Sequence, residues 1–525
     1  RVLGPAAWGG GGAAALGPRA MGREGACADD GIRREASHQV LDAKVLPVAA
    51  TPDGAPQGRS LGLLVMKFSG ASLATAESWR RVASIVCDHV DRRPVVVLSA
   101  IGQTTNELVN ASKRALEDGT VDISAFEAAH RSLLDDLGVP EPEEVTGFFK
   151  ALKEVLLGVA MLKELPERTR DLILSFGERI CVRLFAAYLA QAPDGAGRRL
   201  EARALDSWDI GMQTTSGIGS VTSTRSQVEV PAKTFGDIGA KLDALLGDSY
   251  PFVPVVTGYI AKDPRGFITT LGRHGSDQTA AIIGAAVGAP EVQLWKDVGG
   301  VFTADRHIAP AAAPVRLLTF EQMAELSAMS GTYFVHPATI LPAWRARIPI
   351  AMRSVTAPED PGTTVVMTAA QGSAEGGPVA TISSKRGITM VTIRSTRMLG
   401  QHGFLANIFE LFEKFGISVD VVTTSEVSVS LTLDPSDEVD RLPELRAELQ
   451  SFATVEVVEG LSMVMLLRAK VRAARVLSGC FECFEELGVE PHMTSHGASD
   501  VNTTFVLPDE HLESCVRKLH AYFFE

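Results

Sequence analysis

Cysteine is scarce in this sequence, with six residues in a chain of 525. That is too few for a disulfide scaffold at this length and suits a reducing compartment. Two of them, Cys480 and Cys483, form a C-x-x-C with no second pair for zinc, which reads as one turn of an amphipathic helix. Long apolar runs are lacking as well. The longest, "TAAIIGAAVGA" (279–289), falls short of the roughly 18 residues a membrane-spanning helix needs and suits a buried helix. Basic residues are outnumbered, giving a formal net charge of −13, and no Lys/Arg run interrupts the acidity. This argues against a nucleic-acid surface and leaves small molecules and protein subunits as partners.

Several nucleotide-site signatures are also missing. There is no G-x-x-x-x-G-K-[ST], so the chain is not a P-loop enzyme, and no H-R-D or D-F-G set, so it does not have a protein-kinase fold. "SGIGSV" (216–221) lacks the third glycine of a dinucleotide fingerprint.

What is present is a globular composition, 46% hydrophobic and 22% charged, long enough for roughly two to four domains. Residues 1–60 are Gly/Ala-rich with scattered arginines and no periodicity, and read as a disordered leader or a transit-like segment outside the fold. From 61 to 368, short Val/Ile/Leu runs alternate with longer helical stretches, which predicts βαβ units and a mostly parallel sheet covered on both faces. Ligands bind such sheets at the carboxyl ends of the strands. Four small-residue loops fall there: "KFSGAS", "LSAIGQTT", "TTLGRHGSDQT" and "KDVGGVFTADRH".

Beyond a connector, "AAQGSAEGGP" (369–378), the chain repeats itself. "GITMVTI" from Gly387 answers "GLSMVML" from Gly460, "FEKFGI" from Phe412 answers "FEELGV" from Phe484, and "SEVSVSLTL" from Ser425 answers "SDVNTTFVL" from Ser499, at offsets of 72 to 74 residues. Three matches in one register predict two copies of a strand–helix–strand–strand–helix–strand module, at 379–455 and 456–525.

Phosphoryl transfer accounts for the polar loops together, because it needs positioning and charge neutralisation more than covalent help. In "LLVMKFSGAS" (63–72), Lys67 ends an apolar strand and is either a surface charge or a phosphate clamp, with Gly70 letting backbone approach an anion. "LGRHGSDQTAA" (271–281) puts Arg273, Ser276 and Asp277 where a helix opens, a set suited to a zwitterion: guanidinium for carboxylate, carboxylate for ammonium. Glu178, in "SFGER", is either a first-turn helix charge or a ligand.

With these motifs in order, the chain from Leu63 onward resembles the aspartate kinase family, in particular its monofunctional plant-type plastid form. "KFSGAS", "VVVLSAIGQTTN", "SFGER", "TTLGRHGSD" and "VQLWKDVGGVFTADRH" match its catalytic loops, and "STRMLGQHGFLANIFELFEKFGISVDVVTTSEVSVSLTLDPS" matches its first ACT domain. The resemblance implies an α/β amino-acid-kinase sandwich followed by two α+β ACT domains. It also implies transfer of a phosphoryl group from ATP, with Mg²⁺, to the side-chain carboxylate of L-aspartate, giving 4-phospho-L-aspartate. Lys67 then neutralises phosphoryl charge, Gly70 and Ser99 line the phosphate site, and Arg273 binds the α-carboxylate. Glu178 and Asp277 hold the ammonium group beside Thr105 and Ser276, and Lys296, Asp297, Phe302 and Asp305 lie along the nucleotide. Lysine is the implied feedback effector, with S-adenosylmethionine as a second. Its matching positions are Met398, Gln401, Gly403, Phe404, Leu405, Ser418, Val419, Asp420, Ser425 and Glu426, of which Met398, Phe404 and Leu405 also suit an ordinary core. The resemblance further implies a homodimer through the ACT domains and residence in the plastid stroma, with the cytoplasm as the alternative.

Three departures stand out. Ser69 and His274 replace family glycines, and Arg306 replaces a usual proline. A serine held at positive φ in the phosphate turn costs on the order of 1 kcal/mol or more. Ser69, Ala71 and His274 motivate the alternative to an enzyme, a degenerate kinase domain serving as an ACT-based amino-acid-binding regulator.

Overall fold

The computed structural model describes residues 61–191, 200–215, 229–272, 274–329, 335–368, 377–395, 402–435, 441–469 and 472–525. The leader, "SGIGSV", most of the connector, Arg273, Met398 and Gln401 lie outside them. Among the described residues no helix is long and apolar enough to cross a membrane.

The first part is built on β1 (Leu64–Phe68), β2 (Pro94–Leu98), β3 (Ala202–Leu205), β4 (Val253–Thr257), a small antiparallel pair β5 (Ile260–Lys262) and β6 (Ile268–Thr270), then β7 (Val292–Lys296), β8 (Leu317–Thr319), β9 (Ile350–Ser354) and β10 (Thr363–Val366). Eight of these form one sheet in the order β3-β4-β2-β1-β7-β9-β10-β8, with every neighbouring pair parallel except β9 with β10. β1, apolar but for Lys67, and the wholly apolar β2 are buried on both faces, as helices on both sides of a parallel sheet require.

Strand alternation decides which face each residue joins. Val65, Val95 and Val97 pack with the helices Ala232–Leu246 and Gly275–Val287. Leu64, Met66, Phe68 and Val96 pack with the helices Ala76–Asp88, Glu143–Leu162 and Glu167–Gln191. Lys67 has the parity of Val65, so it faces the Gly275–Val287 side.

The remaining strands are β11 (Val379–Arg394), β12 (Val422–Thr424), β13 (Ser428–Leu433), β14 (Thr454–Arg468), β15 (Met493–His496) and β16 (Asn502–Pro508). They form one antiparallel sheet, β12-β13-β11-β14-β16-β15. Both repeats are visible in it, but they interlock. The later half of β11 pairs with β13 and with the start of β14, completing one module with the helices Phe404–Phe415 and Leu442–Leu449. The earlier half, Val379 to Lys385, pairs instead with Met463 to Arg468, so the second module takes its last strand from upstream of the first. Its own helices are Ala473–Leu487, which buries Cys480 and Cys483, and Leu512–Phe524.

The position 455/456, where the sequence repeat divides, therefore falls inside β14. Gly387 and Gly460, which open the matched repeats, sit at φ 72° and 71° beside the register shifts where each long strand passes from one module to the other.

Candidate active site

At the carboxyl ends of β1 and β7, two lysines converge on one carboxylate. Lys67 Nζ lies 2.6 Å from Asp277 Oδ1 and Lys296 Nζ lies 3.0 Å from Asp277 Oδ2. Asp277 is delivered by the first turn of the helix Gly275–Val287, which packs on the same face of β1 as Lys67. Burial raises the carboxyl pKa, but the two ammonium groups overcome it and hold Asp277 well below the ordinary carboxylate range. Burial also lowers the pKa of Lys67, against the pull of Asp277. Lys67 is 5% exposed and Asp277 1%, so the clamp of Lys67 is not a surface ion pair.

Glu178 arrives from the opposite face of the sheet. It does not open a helix, as "FGER" allows; it lies well inside the helix Glu167–Gln191. A Cβ on the preceding Gly177 would stand 2.9 Å from the Cβ of Ala100, so glycine lets this helix lie against the loop after β2. The backbone N–H of Ala100 donates to Glu178 Oε1 at 3.2 Å, while Oε2 is buried with no hydrogen-bond partner. Burial pushes the Glu178 carboxyl up to about 8. A buried carboxylate oxygen without a donor is an open place for a cation.

The turn after β1 resolves the first sequence departure. Ser69 is not among the described non-glycine residues at positive φ, so it carries no left-handed strain. Its hydroxyl accepts from the Ser72 backbone N–H at 3.4 Å and lies 2.8 Å from the Ser72 hydroxyl, a local turn closure. Gly70 is the demanding position. A Cβ there would be 2.5 Å from the carbonyl oxygen of Ala100, and its own carbonyl accepts from Gly102 N–H at 2.9 Å. The second departure is real, since His274 sits at φ 59° just before the helix Gly275–Val287. Its exposed ring stacks on that of the half-buried His336, with centroids 5.5 Å apart, and partial desolvation pushes both imidazoles below their usual pKa.

Of the other residues singled out from sequence, Ser99 and Thr105 are half-buried around the loop after β2 and Ser276 is buried beside Gly258. Asp297 and Asp305 are exposed and Phe302 half-buried along the segment after β7. Asp305 accepts from His307 N–H at 2.9 Å, and the Arg306 guanidinium lies over the Phe302 ring.

In the first repeated module, Gly403 caps the helix Phe404–Phe415 at φ 83°, Phe404 is core and Leu405 is 41% exposed. Ser418 is exposed and Val419 packs on the module core. Ser425 and Glu426 form the exposed tip between β12 and β13. Asp420 already has a cation nearby: Lys385 Nζ is 3.8 Å from its Oδ2 and also pairs with Asp434. Burial, then Asp434, pushes the Asp420 carboxyl up to about 6.

Sequence reasoning placed Lys296 along the nucleotide and Asp277 on the ammonium group; it missed that the two pair. The signal was available, because "VQLWK" ends in lysine just as "LLVMK" does. His336 was missed too, and no local pattern would have paired it with His274.

Comparison with known proteins fits this geometry. The amino acid kinase family pattern matches residues 62–354. Aspartokinase 2, chloroplastic, of Arabidopsis thaliana is 39% identical over 517 residues, covering 96% of this chain and 91% of that protein. Lysine-sensitive aspartokinase 3 of Escherichia coli is 34% identical, covering 88% and 99%. The crystal structure of E. coli aspartokinase III in complex with aspartate and ADP, in its R-state, superposes with a TM-score of 0.69 at 30% identity, over 88% of this chain and all of that one. With its two-lysine clamp, its mostly parallel sheet and relatives of this identity along almost its whole length, the chain belongs to the aspartokinase family of ATP-dependent kinases.

Proposed function

We propose that this chain phosphorylates the side-chain carboxylate of L-aspartate with ATP, giving 4-phospho-L-aspartate and ADP, the entry to the aspartate-derived amino acids. The observation that carries the reading is the Lys67–Asp277–Lys296 clamp beside the unpartnered Oε2 of Glu178. The nucleophile is the substrate's own carboxylate, so no protein base is required. Lys67 and Lys296, oriented by Asp277, neutralise charge developing on the transferred phosphoryl group and the leaving oxygen. Because Asp277 is spent on the lysines, Glu178 takes the substrate ammonium group, and Arg273, outside the described residues, takes its α-carboxylate. The phosphates lie over Gly70 and Ser99, whose turn tolerates no Cβ at Gly70.

Among the described residues no group of three or more His, Cys, Asp or Glu is placed to hold a metal ion. Mg²⁺ carried by the phosphate oxygens of ATP would supply further charge neutralisation when bound. The repeated modules are proposed to bind lysine as feedback effector, with S-adenosylmethionine as a second, and to pair two copies of the chain. A lysine- and aspartate-bound T-state of the E. coli enzyme superposes at a TM-score of 0.69 and 30% identity, which supports this reading. The chloroplastic relatives support a plastid location.

The test is ADP release by purified protein with ATP, Mg²⁺ and L-aspartate, with and without L-lysine. Aspartate-dependent turnover suppressed by lysine is expected. Lysine binding without aspartate-dependent turnover would make the chain a sensor instead of an enzyme.

A further inference from the structure

The segment 302–313, which follows β7 and holds Phe302 and Asp305, is built into the second repeated module. Ile382 N–H donates to the Thr303 carbonyl at 2.8 Å and the Thr381 hydroxyl donates to the Phe302 carbonyl at 2.7 Å, both from the earlier half of β11. Ala304, Ile308, Ala309 and Ala312 belong to the same apolar core as Val516 and Leu519 of the helix Leu512–Phe524. From that helix Arg517 Nε donates to the Ile308 carbonyl at 3.0 Å. His520 Nε2 lies 2.9 Å from the Thr303 hydroxyl, with His520 2% exposed and Thr303 9%.

This last contact is specific in its chemistry. The Thr303 oxygen also accepts from Ala313 N–H at 3.0 Å, so the hydroxyl ties both ends of the segment to one imidazole. On its other side His520 Nδ1 faces Glu525 Oε1 at 3.4 Å and its ring stacks on Phe524. A buried histidine held on three sides fixes where Thr303 can be, and so where Phe302 and Asp305 on either side of it stand.

We infer that His520 is a positioning residue for nucleotide binding, through which the last helix of the second module sets the placement of the segment that the nucleotide lies along. The inference rests on the reading of Phe302 and Asp305 as nucleotide contacts. It goes beyond that reading in making nucleotide affinity a property of the second module, without any effector bound.

The experiment measures ADP and aspartate dissociation constants, KM and kcat for the full chain and for His520→Ala, His520→Gln, Arg517→Ala and Asp305→Ala, with thermal melting alongside. Losing one buried hydrogen bond predicts about a three- to tenfold weaker ADP affinity in His520→Ala. Aspartate affinity and kcat are expected to stay within about twofold, and His520→Gln, whose amide reaches the same hydroxyl, to recover most of the loss. Arg517→Ala, removing a tether from a side chain 55% exposed, is expected to weaken ADP in the same direction without unfolding the module. A lowered melting temperature in His520→Ala with ADP affinity unchanged, or equal losses for ADP and aspartate, would overturn the inference. If Asp305→Ala weakens ADP while His520→Ala and Arg517→Ala do not, the inference alone falls. If Asp305→Ala leaves ADP untouched, the nucleotide reading falls and the inference with it.

Discussion

Glu178 is the residue whose environment makes the sharpest demand. Its carboxyl is buried, has one backbone donor, and is pushed from the usual 4.5 up to about 8. Between those values the folded protein keeps a proton that the unfolded chain has lost, so this group's contribution to stability declines as pH rises towards 8. Substrate binding runs the other way, because only the ionised carboxylate attracts an ammonium group. The KM for aspartate is therefore expected to fall as pH rises from about 6 to 8 and then level off, while Glu178→Gln raises it at least about tenfold and flattens the profile. Steady-state kinetics across that range are the check, and a profile unchanged by the substitution would remove Glu178 from the substrate site. Gly70 makes a steric demand instead. With a Cβ 2.5 Å from the Ala100 carbonyl oxygen, Gly70→Ala is expected to cost about 1–3 kcal/mol of stability and to raise the KM for ATP. Ser69→Gly is expected to gain nothing, because Ser69 is unstrained and closes its own turn. Much of this candidate site was legible because small-residue turns and strand-end lysines leave local marks. Asp277's partners were not, since which charge a carboxylate meets is decided by helix packing on a strand face rather than by neighbours in the chain.

At the scale of elements, the repeated modules show what a sequence repeat does and does not define. The repeat read from "GITMVTI" and "GLSMVML" is present, down to the glycines at the crossover of β11 and β14. Its linear division is not a structural division, because strand order in a sheet depends on pairing partners far apart in sequence, and an edge is filled by whichever strand completes it. The earlier half of β11 leaves Val379 and Ile382 in the second module's core. A fragment spanning 377–525 is accordingly expected to fold with a cooperative melt, whereas 456–525, lacking that strand, is expected to expose its apolar face and fail to melt cooperatively. Circular dichroism melts of the two fragments decide this, and equal cooperativity in both would show that the borrowed strand is dispensable. The central strands β2, β4 and β7, by contrast, were readable as short Val/Ile/Leu-rich runs because they are buried on both faces, whereas the outer strands β3, β8 and β10, polar or half-exposed at alternate positions, left no such run.

Across the whole molecule, the kinase sheet and the repeated modules share apolar packing as well as hydrogen bonds. One continuous core runs from Val65 and Leu294 through Phe320 and Met323 to Met463 and Val506. Across it, Gln322 donates to the Arg468 carbonyl at 2.9 Å and Asn502 donates to Glu325 at 2.8 Å. A core shared across the boundary predicts a single thermal transition for both parts, and two well-separated transitions by calorimetry would contradict it. The same continuity bears on regulation, because a charge change in the first module has a packed path to the kinase sheet. On the proposed effector reading, Asp420, its carboxyl pushed up to about 6 by burial and by Asp434, would attract the lysine ammonium group only when ionised, and Lys385 stands beside it already. Inhibition by L-lysine is therefore expected to weaken as pH falls from about 7.5 to 5.5, with basal turnover compared at each pH to separate the two effects. Asp420→Asn is expected to lose most of the inhibition and its pH dependence together. If lysine inhibits equally at both ends of that range, the effector's ammonium group is held by some other acid, and Glu426 at the exposed hairpin tip becomes the next to replace.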